Sequence, residues 1–166
     1  MAFKRDKQMG DTGEALAYEW LAARELVACV EDVSKDPHYQ KKDIDFIVNL
    51  TTGNQLKVDV KYDTRIDQTG HVFIELISNN TRWSPGNFLY SEADLFLYIF
   101  AKSEQVLILP LKETRDYVYS RCEGYKIGRC PNYGYGGKLL YSSLGRLVRY
   151  KELLENIEST ALVPLH

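Results

Sequence analysis

The feature that most constrains the fold is a pair of adjacent segments, "DIDFIVNL" and "QLKVDVKYD", joined by "TTGN". Both segments are rich in β-branched and aromatic residues, and the connection has the glycine and asparagine that are typical of turns. In the second segment, apolar and charged residues alternate in the order Val58, Asp59, Val60, Lys61, Tyr62, Asp63. Alternation with period two is the pattern of a half-buried strand. The sequence therefore predicts an antiparallel hairpin with one apolar face and one charged face.

The rest of the chain mixes helical and strand-like patterns. An apolar stripe that includes Leu16, Trp20 and Val27 predicts a helix over about residues 13 to 27. The segments "HVFIELIS", "DLFLYIF" and "VLILPL" are predicted strands, and "KETRDYVYSR" and "YKELLENI" are predicted helices. Residues 122 to 137, rich in glycine and tyrosine, are predicted to be irregular. With the first three strands as a meander, the expected fold is an α/β domain with a mixed central sheet.

Length and composition indicate one globular domain over residues 1 to 166. The chain is 45% hydrophobic and 27% charged, which excludes a disordered protein. No run approaches the roughly 18 apolar residues of a membrane span, and the first residues have no apolar core of a secretory signal. The three cysteines are widely spaced and odd in number, which favours free thiols in the cytoplasm and gives no zinc-binding pattern.

Charge is distributed unevenly along the chain. Residues 115 to 151 contain eight Lys or Arg and two acidic residues, a local net charge of +6. Because the whole chain has a net charge of −2, the remainder carries −8. A basic segment beside an acidic body fits a polyanionic partner together with a carboxylate-rich site that a cation neutralises.

The hairpin presents a group of side chains with a recognisable chemistry. Thirteen residues separate Asp45, on the first strand, from Asp59, on the second. Asp59 and Lys61 point to the same side of their strand, and a suitable register brings Asp45 near Asp59. Two adjacent carboxylates repel each other, and a hard divalent cation is their natural counter-charge. A lysine beside such a site can position a water or stabilise phosphate charge, which suits phosphodiester hydrolysis.

These residues give the chain a resemblance to the PD-(D/E)XK nuclease superfamily, which includes restriction endonucleases, Holliday-junction resolvases and many phage and repair nucleases. Asp45, the spacer and "DVK" at residues 59 to 61 follow a helix that carries Glu14 in "GDTGEALAYEWL". The chain is most similar to the small resolvase-like members. The sequence departs from the family pattern in having Ile44 instead of proline before Asp45, and Asp59 instead of the commoner glutamate.

The resemblance implies a restriction-endonuclease-like αβββαβ core over about residues 10 to 111, with residues 112 to 166 as a basic extension. It implies Mg²⁺ as cofactor, with Mn²⁺ as a substitute, held by Asp45, Asp59 and the Val60 carbonyl. It implies Lys61 as the catalytic lysine and Glu14 as an accessory acid, with Glu14 or Glu75 completing a second metal site. Many relatives are homodimers. The expected function is endonucleolytic hydrolysis of DNA.

Each acidic candidate also has a structural interpretation. Asp59 and Lys61 could belong to a solvated strand face, and Asp43 is expected to point away from Asp45 or to belong to a turn. Glu14 follows Asp11 by three residues, which is the spacing of a helix capping box. Glu75 is expected to share a strand face with Phe73 and Ile77, and the alternative is an ordinary acid on an edge strand.

Two segments are candidates for contact with nucleic acid, because Lys and Arg side chains contact phosphates and tyrosine rings stack on unpaired nucleobases. The candidates are Arg82 and Trp83 in "NNTRWSPGN", and Arg115, Arg121, Lys126, Arg129, Lys138, Arg146 and Arg149 in the basic segment. The alternative for Arg82 and Trp83 is a simple turn, and the alternative for the basic segment is a solvated helix followed by a tyrosine-rich packing loop. Two other functions stay open: a binding module without catalysis, and a ribonuclease, since this chemistry does not select the sugar. The DNA partner could be branched or single-stranded.

Overall fold

The computed structural model describes the backbone of residues 2–166 and the side chains of residues 9–166. The elements follow one another in the order α1 (Ala2–Ala22), β1 (Val27–Asp32), α2 (Pro37–Gln40), β2 (Phe46–Leu50), β3 (Gln55–Asp63), α3 (Ile66–Thr69), β4 (His71–Asn79), β5 (Ser84–Pro85), α4 (Asn87–Tyr90), β6 (Leu95–Phe100), β7 (Gln105–Pro110), α5 (Leu111–Tyr119), β8 (Lys126–Tyr133), β9 (Leu139–Arg149), α6 (Tyr150–Asn156) and β10 (Ala161–Pro164). No helix of the described chain is long and apolar enough to cross a membrane.

The strands form two sheets. The larger sheet has the order β1-β2-β3-β6-β7-β10, and the smaller has the order β5-β4-β9-β8. In the larger sheet β3 and β6 are parallel, while the other neighbours are antiparallel. The prediction of an α/β protein with a mixed central sheet is confirmed. The predicted hairpin is also present, because β2 and β3 are antiparallel, with Phe46 opposite Val58.

The larger sheet lies between two layers. Helix α1 covers one face, where Trp20 and Leu21 pack with Val58 and other apolar residues of the central strands. The smaller sheet covers the opposite face, together with α4, α5 and α6, and Ile74 and Val148 are buried there. The face of β3 that carries the charged residues is therefore not the outside of the protein. It lies between the two sheets.

Gly13 allows α1 to approach β3 closely. A Cβ atom at Gly13 would lie 2.6 Å from the Cβ of Tyr62. Because real Cβ atoms do not approach that closely, any other residue at this position would displace the helix. The contact fixes the height of α1 over the apolar face of β3, and with it the position of the next residue, Glu14.

Several predicted elements were wrong. The first helix begins at Ala2 and ends at Ala22, and Val27 begins β1, whose pairing with β2 overrides the helical pattern. The segment "HVFIELIS" does not extend the meander but forms β4 in the smaller sheet. Residues 122–137 are only partly irregular, because half of them form β8. Residues 112–166 contribute strands to both sheets.

The smaller sheet explains the glycines of β8 and β9. Gly128 and Gly145 face each other across the two strands. A Cβ atom on either glycine would lie 3.0 Å or less from Cε2 of Phe73 on β4. The two glycines therefore leave space for this ring, and a pattern that looks like a loop in the sequence is a strand with a packing requirement.

Candidate functional site

Asp45 lies immediately before β2, and the strand register places it beside Asp59. The backbone N–H of Asp45 donates to the carbonyl of Val58 at 2.9 Å. The backbone N–H of Val60 on β3 donates to the side-chain carboxylate of Asp45 at 2.8 Å. The carboxyl groups of Asp45 and Asp59 lie within hydrogen-bonding reach of each other.

Asp59 and Lys61 form a buried ion pair on the face of β3 that the smaller sheet covers. Asp59 is only 2% exposed, so the interpretation of this face as solvated is wrong. The Nζ of Lys61 lies 2.8 Å from Oδ1 and 2.6 Å from Oδ2 of Asp59. It also lies 5.4 Å from the centre of the Phe96 ring. Only Oδ1 receives a hydrogen bond of good geometry, which leaves Oδ2 of this buried carboxylate without one.

Asp43 belongs to this cluster as well. Its carboxylate lies 3.3 Å from the Nζ of Lys61, so the expectation that it points away from the site was wrong. Asp43 precedes the strand and has a φ of 55°, in the left-handed region that few non-glycine residues adopt. Residues two apart on a strand share a face, so alternation from Asp45 also puts Asp43 on the side of the site. The hydroxyl of Ser91 donates to the Asp43 carbonyl.

Glu14 faces the same end of the hairpin from α1. The helix begins at Ala2, so Glu14 is not in the first turn and the capping-box interpretation was wrong. Burial raises the pKa of Glu14, and the charge of Asp45 raises it further, whereas a hydrogen bond with Ser34 opposes them. Glu14 also lines a groove with Asp32 and Lys35, between α1 and the sheet.

The cluster holds more negative than positive charge. Burial raises the pKa of Asp45 and outweighs the lowering by the Val60 amide and by Lys61. Burial likewise raises the pKa of Asp59, against the attraction of Lys61. Burial lowers the pKa of Lys61, but Asp59 and Asp43 outweigh it and hold that pKa above its ordinary value. The charges of three carboxyl groups, those of Asp43, Asp45 and Asp59, therefore act on one ammonium group, and Glu14 lies beside Asp45.

The donor atoms fit a magnesium or manganese ion. Mg²⁺ takes oxygen ligands, keeps several waters, and is commonly held by one or two protein carboxylates. Asp45 and Asp59 supply two adjacent carboxylates, and the contact of Oδ2 of Asp59 is the ion pair with Lys61 at 2.6 Å, without a further hydrogen bond. Among the residues that the structure describes, no group of three or more His, Cys, Asp or Glu side chains is arranged to hold a metal. The fit therefore depends on a pair of carboxylates and on backbone or water oxygens.

Two tyrosines that were not predicted from the sequence lie beside the cluster of Asp45, Asp59 and Lys61. Tyr98 is opposite Lys61 in the parallel pair of β3 and β6, and burial raises its pKa, with Lys61 opposing and Asp59 adding. Its hydroxyl donates to the carbonyl of Phe73 at 3.5 Å. Tyr90 ends α4, and burial followed by the charge of Asp43 raises its pKa. The only signal for Tyr98 in the sequence was one hydroxyl in an otherwise apolar strand.

Glu75 lies at the margin of the site. It is on β4, opposite Gly145, and its charge contributes to raising the pKa of Tyr90. The register between β4 and β9 shifts between Glu75 and Ile77. Because of this shift, simple alternation does not extend from Glu75 to Ile77, and the shared face expected from the sequence is interrupted.

The basic candidates divide into two groups. Arg115 donates to the carbonyls of Phe88 and Ser91, and Arg146 donates to that of Tyr125. Arg121 is exposed and lies over the ring of Tyr117 at 4.0 Å. The other candidates are exposed on the smaller sheet, its loops and its hairpin: Arg82, Trp83, Lys126, Arg129, Lys138 and Arg149.

Comparisons of the chain with protein-family models, with curated proteins and with solved structures find no match. The assignment of a function therefore depends on the geometry and chemistry of these side chains.

Proposed function

We propose that the protein is a cytoplasmic, metal-dependent nuclease of the PD-(D/E)XK type that cuts DNA endonucleolytically. The observation that carries the proposal is the convergence of Asp45, Asp59 and Lys61 at one end of a hairpin, with Asp59 buried. Burying charged carboxylates costs desolvation free energy, so such a pair is a poor way to stabilise a fold. Groups whose pKa values burial and neighbouring charges perturb are concentrated at functional sites.

The order of the elements supports a restriction-endonuclease-like core. Helix α1 is followed by β1, β2 and β3 as neighbours in the sheet, and β6 then pairs in parallel with β3. The expected core has one helix between its third and fourth strands. In this chain residues 64–94 occupy that position, and they include α3, β4, β5 and α4. They place part of the smaller sheet over the charged face of β3.

In the proposed mechanism, Asp45, Asp59 and the carbonyl of Val60 would hold Mg²⁺ or Mn²⁺, and Glu14 or Glu75 would contribute to a second site. The bound ion supplies Lewis-acid stabilisation of the phosphate and a more acidic water. Lys61 keeps its proton, because its pKa is raised, so it serves as a hydrogen-bond donor and positive charge. It positions the attacking water or stabilises charge on a phosphate oxygen. Asp43 is a second carboxylate partner of the Lys61 ammonium group, besides Asp59.

The test is a cleavage assay with matched variants. We expect purified protein to cut DNA with Mg²⁺ or Mn²⁺ and not with EDTA. We expect Asp59→Ala and Lys61→Ala to lose activity by about a hundredfold or more. Lys57→Ala is the control, because Lys57 lies on the same strand and its hydrogen bonds with Asp94 involve only its backbone, which the substitution retains. Asp45→Asn tests the site with the acceptor for the Val60 amide retained.

The substrates should include supercoiled plasmid, linear duplex, branched and single-stranded DNA, and RNA. Cleavage of RNA alone would assign a ribonuclease. Binding that is equally tight in EDTA, with no substrate cut in any metal, would assign a non-catalytic binding module. Full activity in Asp59→Ala, with circular dichroism like that of the wild type, would refute the site.

A further inference from the structure

One end of the smaller sheet brings together two distant segments that carry exposed aromatic and basic residues. The loop between β4 and β5 holds Arg82 and Trp83, and the turn between β8 and β9 holds Tyr135 and Lys138, with Tyr133 at the end of β8. The two segments are adjacent because Asn80 and Ser142 exchange two hydrogen bonds, of 3.0 and 2.7 Å. We call Arg82, Trp83, Tyr133, Tyr135 and Lys138 the aromatic rim.

The loop of the aromatic rim holds Trp83 outwards in a defined conformation. The side-chain oxygen of Asn79 accepts hydrogen bonds from the backbone amides of Thr81 and Arg82 and from the hydroxyl of Thr81. Trp83 has a φ of 54°, which is uncommon for a bulky residue, and its side chain is left 71% exposed. A large apolar side chain that is held in solvent by a locked loop indicates a contact surface.

The hairpin of the rim has the charge that suits a polyanion. From β8 to the end of β9, residues 126–149 include five Lys or Arg and no acidic residue. At its tip Tyr135 is fully exposed, Tyr133 is 51% exposed, and Gly136 and Gly137 have positive φ values that allow the tight turn. Sites for single-stranded nucleic acid typically combine Lys and Arg side chains along the phosphate backbone with aromatic rings on which nucleobases stack.

The rim lies at a useful distance from the candidate site. The carbonyl of Phe73 on β4 accepts from Tyr98 beside Lys61, and Glu75 follows on the same strand. From Phe73 to the end of β4 at Asn79 there are six residue steps, roughly 20 Å of strand. This is the length of about six base-pair steps of a duplex at 3.4 Å each. A strand that is cut beside Lys61 can therefore reach the rim within a few nucleotides.

We propose that the aromatic rim binds unpaired nucleotides a few positions from the cut, so that the substrate is DNA with a single-stranded or branched segment. The inference deepens the proposed nuclease function by naming the substrate class. Binding itself does not need catalysis, so it is measured in EDTA.

Trp83 provides the readout. The chain has two tryptophans, and Trp20 is 7% exposed and donates to the carbonyl of Pro164. Quenching of tryptophan fluorescence by a bound oligonucleotide therefore reports on Trp83. We expect a short oligothymidylate to quench the wild type strongly, and a blunt duplex of equal length to bind more weakly.

We expect Trp83→Ala and Tyr135→Ala each to weaken binding of the oligothymidylate, measured by fluorescence anisotropy, roughly tenfold. Trp83→Phe should lose the quenching signal and keep most of the affinity. Two controls outside the rim should leave the affinity unchanged: Tyr119→Ala for an exposed ring, and Lys112→Ala as the match for Lys138→Ala, which should weaken binding.

The outcomes separate this inference from the nuclease proposal. Binding with quenching, but no cleavage in any metal, would support the rim and reject the nuclease. Cleavage with unchanged affinity in Trp83→Ala and Tyr135→Ala would keep the nuclease and overturn the rim. Self-association of the wild type that is lost in Trp83→Ala, without quenching by the oligonucleotide, would assign the rim to a second copy of the chain and also overturn the inference.

Discussion

Replacing Asp45 by asparagine separates a structural from a functional role for the acidic cluster. The Oδ1 atom of the asparagine can still accept from the Val60 amide, as the carboxylate does at 2.8 Å. The substitution removes one negative charge beside Glu14 and Asp59 without deleting that hydrogen bond. If the cluster exists to bind a cation, the metal-free variant should be more stable than the wild type at neutral pH.

The sign of this effect follows from the raised pKa of Asp45. Burial and like charges disfavour its ionised form in the folded state, despite Lys61. A raised carboxyl pKa means that ionisation costs stability above the folded-state pKa, and that this cost vanishes below the ordinary value of 3.8. The gain from Asp45→Asn should therefore be small at acidic pH and grow as the pH rises. We expect about 1 kcal/mol at neutral pH, or about 2–4 °C in Tm.

The assay is thermal denaturation followed by circular dichroism, in EDTA and in Mg²⁺. At about 10 mM Mg²⁺ and a Kd of about 1 mM, the wild type should gain about 1.4 kcal/mol, which is about 3–6 °C. Asp45→Asn should gain much less. Asp94→Asn is the matched control, because exposed Asp94 also accepts a backbone amide, that of Lys57, outside the cluster.

Two results would refute this reasoning. A loss of stability in metal-free Asp45→Asn, with Asp94→Asn unchanged, would mean that the carboxylate is a structural ligand of Val60. Equal stabilisation of the wild type and Asp45→Asn by Mg²⁺ would remove Asp45 from the metal site.

Three further outcomes follow from the geometry. Lys61→Met leaves Asp59 buried without its main partner, so urea denaturation at pH 8 should show a loss of about 2–3 kcal/mol in the free energy of unfolding, and this loss should shrink as the pH is lowered and Asp59 takes up a proton. Lys57→Met should show neither effect, and a loss independent of pH would contradict the pairing. Initial cleavage rates should increase with pH in the acidic range as Asp45 and Asp59 ionise, because the pKa values of both are raised. The rates should not decrease up to about pH 9, because the raised pKa of Lys61 keeps it protonated. A decrease at alkaline pH that shifts in Lys61→Arg would contradict a protonated lysine. Gly13→Val should cost about 1–3 kcal/mol in thermal denaturation and lower activity by displacing α1, because a side chain there meets Tyr62. Gly10→Ala, with open space around it, should not destabilise the protein. An equal effect of the two substitutions would contradict the close approach of α1 to β3 at Gly13.

Local features of the fold could be predicted from the sequence, and long-range ones could not. The β2–β3 hairpin depends on alternation and a short turn, both visible in a few residues. The parallel pairing of β3 with β6, and the smaller sheet, depend on contacts between distant segments. The start of a strand is also poorly marked, so the sequence left open whether Asp43 belongs to the strand or to the turn before it.

The same division applies to the candidate site. The positions of Asp45, Asp59 and Lys61 follow from the hairpin, so the sequence was sufficient to group them. Tyr90 reaches the cluster only because α4 packs against β4, which no periodicity reveals. The β4–β5 loop and the β8–β9 hairpin likewise lie at the same end of the smaller sheet only because β4 pairs with β9.

The packing of Phe73 on Gly128 and Gly145 has a consequence for evolution and engineering of the smaller sheet. The ring occupies the space above both glycines, so a slip of either strand by one residue would put a larger side chain beneath it. Such a slip also turns every side chain of a strand to the other face. Insertions in the turn after Tyr133 leave this alignment intact, whereas a single residue gained or lost within β8 would reverse which side chains of that strand face solvent. Length variation among natural variants should therefore be confined to the turn.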